Sequence, residues 1–232
     1  MADVQKTFAD APTIIRRENY TPPAWLVPEV ALDFDLGLEE TRVYSTLKVA
    51  RNPDAAAREP LRLKGDGIEP EEVTVDGERI NDWRMEEGDL VLPLPADAHH
   101  IGITTALKPS DNTQLMGLYA SNGMLCTQCE AEGFRRITFH PDRPDVLSRY
   151  TVRMEGDAKT FPVLLSNGDL VEEGEGENGR HYAVWNDPHL KPSYLFALVA
   201  ADLVVNRDTF TTMSGRKVEL GIFVREGDLD RT

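Results

Sequence analysis

From residue 30 onward the chain alternates. Val30, Leu32, Phe34 and Leu36 are apolar, and the residues between them, Ala31, Asp33 and Asp35, are small or acidic. A period of two places one set of side chains on one face of a strand. Gly37 and Glu39-Glu40 interrupt the run, and Val43, Ser45, Leu47 and Val49 resume it, so the two segments predict a hairpin. Leu61 and Leu63 form a short strand ended by Gly65-Asp66-Gly67. Asp76-Gly77, between residues 73–75 and 78–80, suits a type I′ turn. Residues 83–85 and 90–94 pair through Glu87-Gly88-Asp89, and residues 101–107 add a strand stopped by Lys108-Pro109.

The second half repeats the style without repeating the sequence. Residues 150–154, 162–165, 170–173 and 181–185 read as strands, with Asn167-Gly168 and Asn178-Gly179 as hairpin turns. Residues 194–205 are almost continuously apolar, interrupted by Asp202, as a strand buried on both faces would be. Residues 209–212 and 217–224 predict a closing hairpin. Only Arg143-Pro144-Asp145-Val146-Leu147 signals a helix, with Asp142 or Arg143 as cap, and it predicts one short helix across residues 143–149. Residues 1–28 carry Pro12, Pro22, Pro23 and Pro28 without a period and predict an extended arm. The expected class is therefore all-β, a multi-stranded sandwich or curved-sheet domain over residues 29–232.

Composition narrows the partners. Forty acidic against 25 basic residues give a net charge of −15 over 232 residues. That balance argues against nucleic acid, whose binding depends on Lys and Arg displacing counterions, and against an anionic membrane surface. Residues 1–20 are polar with no apolar core, so no signal peptide is expected, and the expected location is cytoplasmic. The ending, Glu226-Gly227-Asp228-Leu229-Asp230-Arg231-Thr232, reads as a cut at a connection.

Candidate chemistry concentrates in Cys126-Thr127-Gln128-Cys129-Glu130-Ala131-Glu132-Gly133-Phe134-Arg135. Two cysteines supply half of a structural zinc site, and no second Cys-x-x-Cys or paired histidine completes it. A redox dithiol would need a helix N-terminus, whereas the surroundings read as strand and loop. The expectation is two reduced, partly buried thiols. His99-His100 reads as a solvated loop pair. Gln128 and Glu130 share a face of an extended segment, as do Glu130 and Glu132, and a Gln beside a Glu offers acceptors to a small cation such as an ammonium. The other reading is a pair of surface carboxylates, with Glu132 bonded to Arg135 or Arg136.

This stretch resembles the signature of the N-terminal domain of the bacterial aminopeptidase N family, zinc aminopeptidases of the gluzincin type. The resemblance continues through Asp142-Arg143-Pro144-Asp145-Val146-Leu147, Leu164-Leu165-Ser166-Asn167-Gly168, Glu177-Asn178-Gly179-Arg180-His181, Tyr194-Leu195-Phe196-Ala197-Leu198-Val199-Ala200 and Asp208-Thr209-Phe210-Thr211-Thr212. It implies a saddle-shaped, mainly β domain that walls an active-site cleft. Gln128 and Glu130 would then bind the free α-amino group of a peptide substrate. It also implies zinc in the full-length enzyme, held by a catalytic domain after Thr232. The family's Gly-x-Met-Glu-Asn and His-Glu-x-x-His motifs are absent here, so this chain is expected to carry neither catalytic residues nor metal ligands and to be inactive alone. The rival readings are a free-standing peptide- or carbohydrate-binding β-sandwich, a superfamily relative with another activity such as an epoxide hydrolase, and an interaction scaffold.

Overall fold

A computed structural model describes residues 16–55 and 59–232, and residues 1–15 of the expected arm lie outside the described residues. In chain order the first strands are β1 (Trp25–Asp35), β2 (Thr41–Arg51), β3 (Leu61–Leu63), β4 (Pro70–Val75), β5 (Glu78–Arg79), β6 (Arg84–Glu86), β7 (Asp89–Leu92) and β8 (Ala98–Leu107). They are followed by β9 (Gly117–Ser121), β10 (Met124–Gln128), β11 (Leu147–Asp157), β12 (Val163–Ser166) and β13 (Asp169–Glu175). The last four are β14 (Arg180–Pro192), β15 (Leu198–Ala201), β16 (Val204–Thr211) and β17 (Lys217–Val224). The helical turns among the described residues are three-residue 3₁₀ pieces.

One eight-stranded sheet, ordered β13-β14-β11-β1-β2-β8-β4-β5, forms the body. Its β1–β2 hairpin pairs Val30 with Leu47, Leu32 with Ser45 and Phe34 with Val43, the register the alternation predicts. β1 also pairs in parallel with β11, Glu29 opposite Arg149 through Asp35 opposite Glu155. Pairing begins at Trp25, and the register shifts between Leu26 and Glu29, around Pro28. A proline lacks the N–H a ladder needs, so a bulge is where a strand tolerates it.

The buried face of this sheet carries Val30, Leu32, Phe34, Val43, Leu47, Ile101, Ile103, Tyr150, Val152 and Met154. Against it lie a four-stranded sheet, β12-β15-β10-β9, and a three-stranded one, β3-β7-β6. Residues from all three sheets join one core. Its aromatic centre stacks Phe34 on Phe196 at 6.2 Å and sets Phe134 edge-on to Phe196 at 5.3 Å and to Tyr150 at 6.1 Å. The outer face is polar. Arg153 reaches Asp33 at 3.1 Å, Arg180 reaches Glu155 at 3.1 Å and also binds Asp35, tying β14, β11 and β1 together. At the edge, β13 presents Asp169, Glu172, Glu173 and Glu175 to solvent. The β16–β17 hairpin forms its own two-stranded sheet and leaves Phe210, Leu220 and Ile222 exposed.

Four expectations fail locally, each for a visible reason. The helix across residues 143–149 is absent: Pro144 and Asp145 form a turn, and β11 starts at Leu147. Asp142 is left-handed (φ 49°) and its carboxylate is bound elsewhere, so it cannot cap, while Ser148, Tyr150 and Val152 alternate into the core. The apolar run 194–205 divides into a 3₁₀ turn, β15 and the start of β16. Asn167-Gly168 joins β12 to β13, strands of different sheets, so it is a crossing point and not a hairpin turn. His99 and His100 lie on β8, and His99 is buried, with Nδ1 2.7 Å from Asp76 Oδ2 and Nε2 accepting the Ala96 N–H at 3.3 Å.

Leu47 is fully buried at the middle of β2. Leu47→Ala should cost about 2–5 kcal/mol, by loss of transfer energy and by the cavity left behind. A loss of that size in the unfolding free energy from urea titration, with the midpoint lowered and the slope unchanged, would confirm it.

Candidate functional site

Regular pairing delivers Gln128 and then stops. β10 pairs with β9 from Met124 opposite Ser121 to Gln128 opposite Gly117, but with β15 only at Leu125 and Cys126. From Cys129 the chain turns into the 3₁₀ piece Phe134–Arg136. Glu130 and Glu132 therefore sit in a turn, and the extended segment expected to align them ends at Gln128. The turn is compact because Gly133 allows it. Its N–H donates to the Cys129 carbonyl at 2.8 Å, and a Cβ there would collide with the Gln128 carbonyl oxygen. The Glu130–Ala131 peptide is cis.

Gln128 and Glu130 are exposed at the rim of this turn. Gln128 Nε2 donates to the Glu130 carbonyl at 3.0 Å. That bond fixes the amide's orientation and turns its Oε1, an acceptor, away from the carbonyl. Glu132 is not part of the same acceptor set, because it pairs with Arg135 Nη1 at 3.2 Å. Two open grooves, of about 450 and 470 Å³, share Lys64, Glu132 and Arg135 and do not include Gln128 or Glu130 among their walls.

Beneath the rim lies a buried polar knot that sequence reasoning misses. The Asp142 side chain is fully buried. Its Oδ2 accepts from the Arg135 backbone N–H at 3.2 Å and from Arg135 Nε at 2.8 Å. Its Oδ1 accepts the Ser193 hydroxyl at 2.6 Å. Arg135 Nη2 also donates to the Asp142 carbonyl at 3.2 Å. Beside it, the Asp142 N–H donates to His140 Nδ1 at 3.0 Å, which puts the imidazole proton on Nε2. The Asn167 side chain grips the neighbouring segment, accepting the Ala197 N–H at 2.7 Å and donating to the Leu195 carbonyl at 3.2 Å. Arg135 and Asp142 share no helix or strand, so no periodic pattern announces this contact.

Both cysteines are free, and Cys129 is the one packed into the core. Cys129 is buried, and burial, helped by the Asp142 charge, pushes its thiol up to about 12. A thiol so reluctant to ionise is neither a ready nucleophile nor a ready metal ligand. His140 is no better placed to bind metal, since its Nδ1 is occupied and its Nε2 is enclosed. Among the described residues no group of three or more His, Cys, Asp or Glu is placed to hold a metal ion. The donor set here does not fit a zinc site. No helix of the described residues is long and apolar enough to cross a membrane.

Known proteins agree with this geometry at the level of the domain. The Peptidase M1 N-terminal domain model matches residues 66–195, and the chain belongs to that family. Aminopeptidase N of Escherichia coli (strain K12) is 46% identical over 215 residues, covering 93% of this chain and 24% of that protein. Aminopeptidase N of Caulobacter vibrioides is 46% identical over 224 residues, 96% of this chain and 26% of that protein. The chain thus spans about a quarter of the length of these curated relatives. Among solved structures, Legionella pneumophila aminopeptidase A in complex with aspartic acid superposes with a TM-score of 0.86 at 30% identity, over 92% of this chain and 25% of that one. An M1 zinc metallopeptidase from Deinococcus radiodurans shares the fold, with a TM-score of 0.72 at 19% identity over 91% of this chain and 52% of that one. The all-β class expected from the alternation is the observed one.

Burial holds His140 down to about 4, with the Asp142 charge opposing. Its folded pKa is below the ordinary value near 6.5, so between pH ~6.5 and ~4 the unfolded chain binds more protons and stability falls with falling pH. This one group should contribute a slope of up to about 1.4 kcal/mol per pH unit in that window. His140→Asn should flatten the acid limb of the stability curve by about that amount. An unchanged slope in paired urea titrations at pH 4.5 and 6.5 would refute the assignment.

Proposed function

We propose that this chain is the amino-terminal wall of the cleft of a zinc-dependent aminopeptidase, and that Gln128 and Glu130 hold the α-ammonium of a peptide substrate there. The observation that carries the reading is the pair of exposed acceptors at the end of β10. Glu130 offers a carboxylate, and Gln128, its amide nitrogen committed to the Glu130 carbonyl, offers Oε1. A terminal ammonium has three donors and a full charge, and it differs in both respects from an internal peptide group. Acceptors that take it reward only a chain end. They also set register, because fixing the first nitrogen fixes which carbonyl follows it.

The zinc and the groups that activate water would belong to another part of the same protein. Zinc supplies Lewis-acid polarisation of the scissile carbonyl and an activated water. This chain's contribution is binding and orientation, and the exposure of Gln128 and Glu130 leaves room for a second wall to exclude water over them. Support also comes from the two relatives, both called aminopeptidase N, and from the Legionella neighbour, which holds an amino acid.

Two outcomes follow. In the full-length protein, Glu130→Ala should raise KM and lower kcat/KM by about thirtyfold or more, given ~2–5 kcal/mol for loss of a charged partner. Glu132→Ala, whose carboxylate is spent on Arg135, should change it far less. An unaltered kcat/KM in Glu130→Ala removes Glu130 from substrate binding. The isolated chain should release no chromophore from aminoacyl-p-nitroanilides with zinc added. A zinc-dependent rate from the pure chain would overturn that expectation.

A further inference from the structure

We infer that Asp142 is a positioning residue for the Gln128–Glu130 edge: its buried carboxylate locks the turn that carries Glu130, through Arg135, to the segment that flanks β10. This inference rests on the reading of Glu130 as an ammonium acceptor.

The turn from Cys129 to Phe134 has no strand partner, since the β10 ladders end at Cys126 on one side and Gln128 on the other. Two of its bonds are internal, Gln128 Nε2 to the Glu130 carbonyl and the Gly133 N–H to the Cys129 carbonyl, and they set its shape without setting its place. Phe134 roots it in the aromatic core. The Asp66 N–H also donates to the Arg135 carbonyl at 3.1 Å and Arg136 binds the Asp66 carboxylate, and the Arg135–Asp142 pair is the tether whose carboxylate is fully buried. Arg135 binds forward to Asp142 through three nitrogens and backward to Glu132 through the fourth.

Asp142 carries the restraint to the opposite flank. Its second oxygen takes the Ser193 hydroxyl at the head of the 3₁₀ turn Ser193–Leu195. That segment runs to Leu198, whose N–H donates to Thr127 Oγ1 at 2.9 Å, next to Gln128. The contacts Arg135–Asp142–Ser193, the 193–198 backbone and Leu198–Thr127 therefore close a ring of which residues 127–135, with both acceptors, are one side. Arg135 donates from several nitrogens in a fixed fork, which sets direction as well as distance. An acceptor pair must be held to about 0.5 Å by such supporting contacts, and a displacement of ~1 Å is enough to cost about a hundredfold.

The test is a double-substitution cycle in the full-length enzyme, read on an aminoacyl substrate. Asp142→Asn keeps the volume and the acceptor for Ser193 but presents an amide nitrogen to Arg135. It should lower kcat/KM by about tenfold to a hundredfold, the usual cost of losing an orienting partner, through a raised KM. Placed on Glu130→Ala, the same substitution should cost clearly less than in the parent, the remainder acting through Gln128. A loss that recurs in full in the Glu130→Ala background, or no loss in the parent, overturns the inference. Should Asp142→Asn fail to fold, Arg135→Lys, which keeps the charge and removes the fork, runs the same cycle and is read in the same way. If Glu130→Ala alone leaves kcat/KM unchanged, the ammonium reading has failed and this inference with it. If Glu130→Ala is impaired but uncoupled from residue 142, the inference alone has failed.

Discussion

The parallel pairing of β1 with β11 is the constraint on which the rest hangs. Two adjacent strands that run the same way cannot be joined by a tight turn, so the chain must leave the sheet and return. Here β2, β4, β5 and β8 are first laid on one side of β1, and the chain reaches its other side only at Leu147, where β11 begins. Everything in that excursion is the product of one closure: β2 and β8 extend the sheet, the β3-β7-β6 sheet covers it, and β10 brings Gln128 to its rim. Closing so long a connection costs chain entropy, and seven paired positions between hydrophobic strands offset it. The site is therefore an outcome of long-range pairing. Its local sequence supplies the proposed acceptors, and β1–β11 supplies the place.

Charge is handled differently on the two sides of the sheet. Outside, Arg153, Arg180, Asp33 and Glu155 meet across strands in water, where each pair adds at most about 1 kcal/mol. Inside, Asp142 is fully buried, its charge met by Arg135 and its other oxygen by Ser193. Removing one partner of such a group strands the other without solvent, typically at ~3–5 kcal/mol. The same burial keeps Cys129 protonated and His140 neutral, so the motif that looks most reactive in the sequence is chemically quiet at Cys129.

Much of this is legible in the sequence because the strands are half-buried. Alternation names the buried set of β1 and β2 residue by residue, and Asp76-Gly77 and Asn178-Gly179 sit at positive φ as their turns require. What is not legible depends on partners far away in the chain. Asp142 followed by Arg143-Pro144 has the local look of a helix start, yet Arg135 and Ser193 claim its carboxylate, and β11 claims the residues after it. The run 194–205 looks uniform because apolar content says nothing about which of three elements buries each residue. At the candidate site, Gln128 and Glu130 are proposed from the motif's resemblance, and the extended geometry assumed for residues 128–132 is overridden by the turn that Gly133 permits.

The carboxylates of β13 give the acidic composition a local address. An edge strand exposes unpaired N–H and C=O groups, a template on which a second chain can grow. On β13 those groups are accompanied by Asp169, Glu172, Glu173 and Glu175, all on the outermost strand of the eight-stranded sheet. A second copy adding edge to edge would bring two such rows within about 5 Å, the spacing of neighbouring strands, and the repulsion would meet it first. These charges flank the exposed Leu170 and Val171 and oppose edge-to-edge growth along β13, and high salt, which screens carboxylates, or acid, which neutralises them, weakens that opposition.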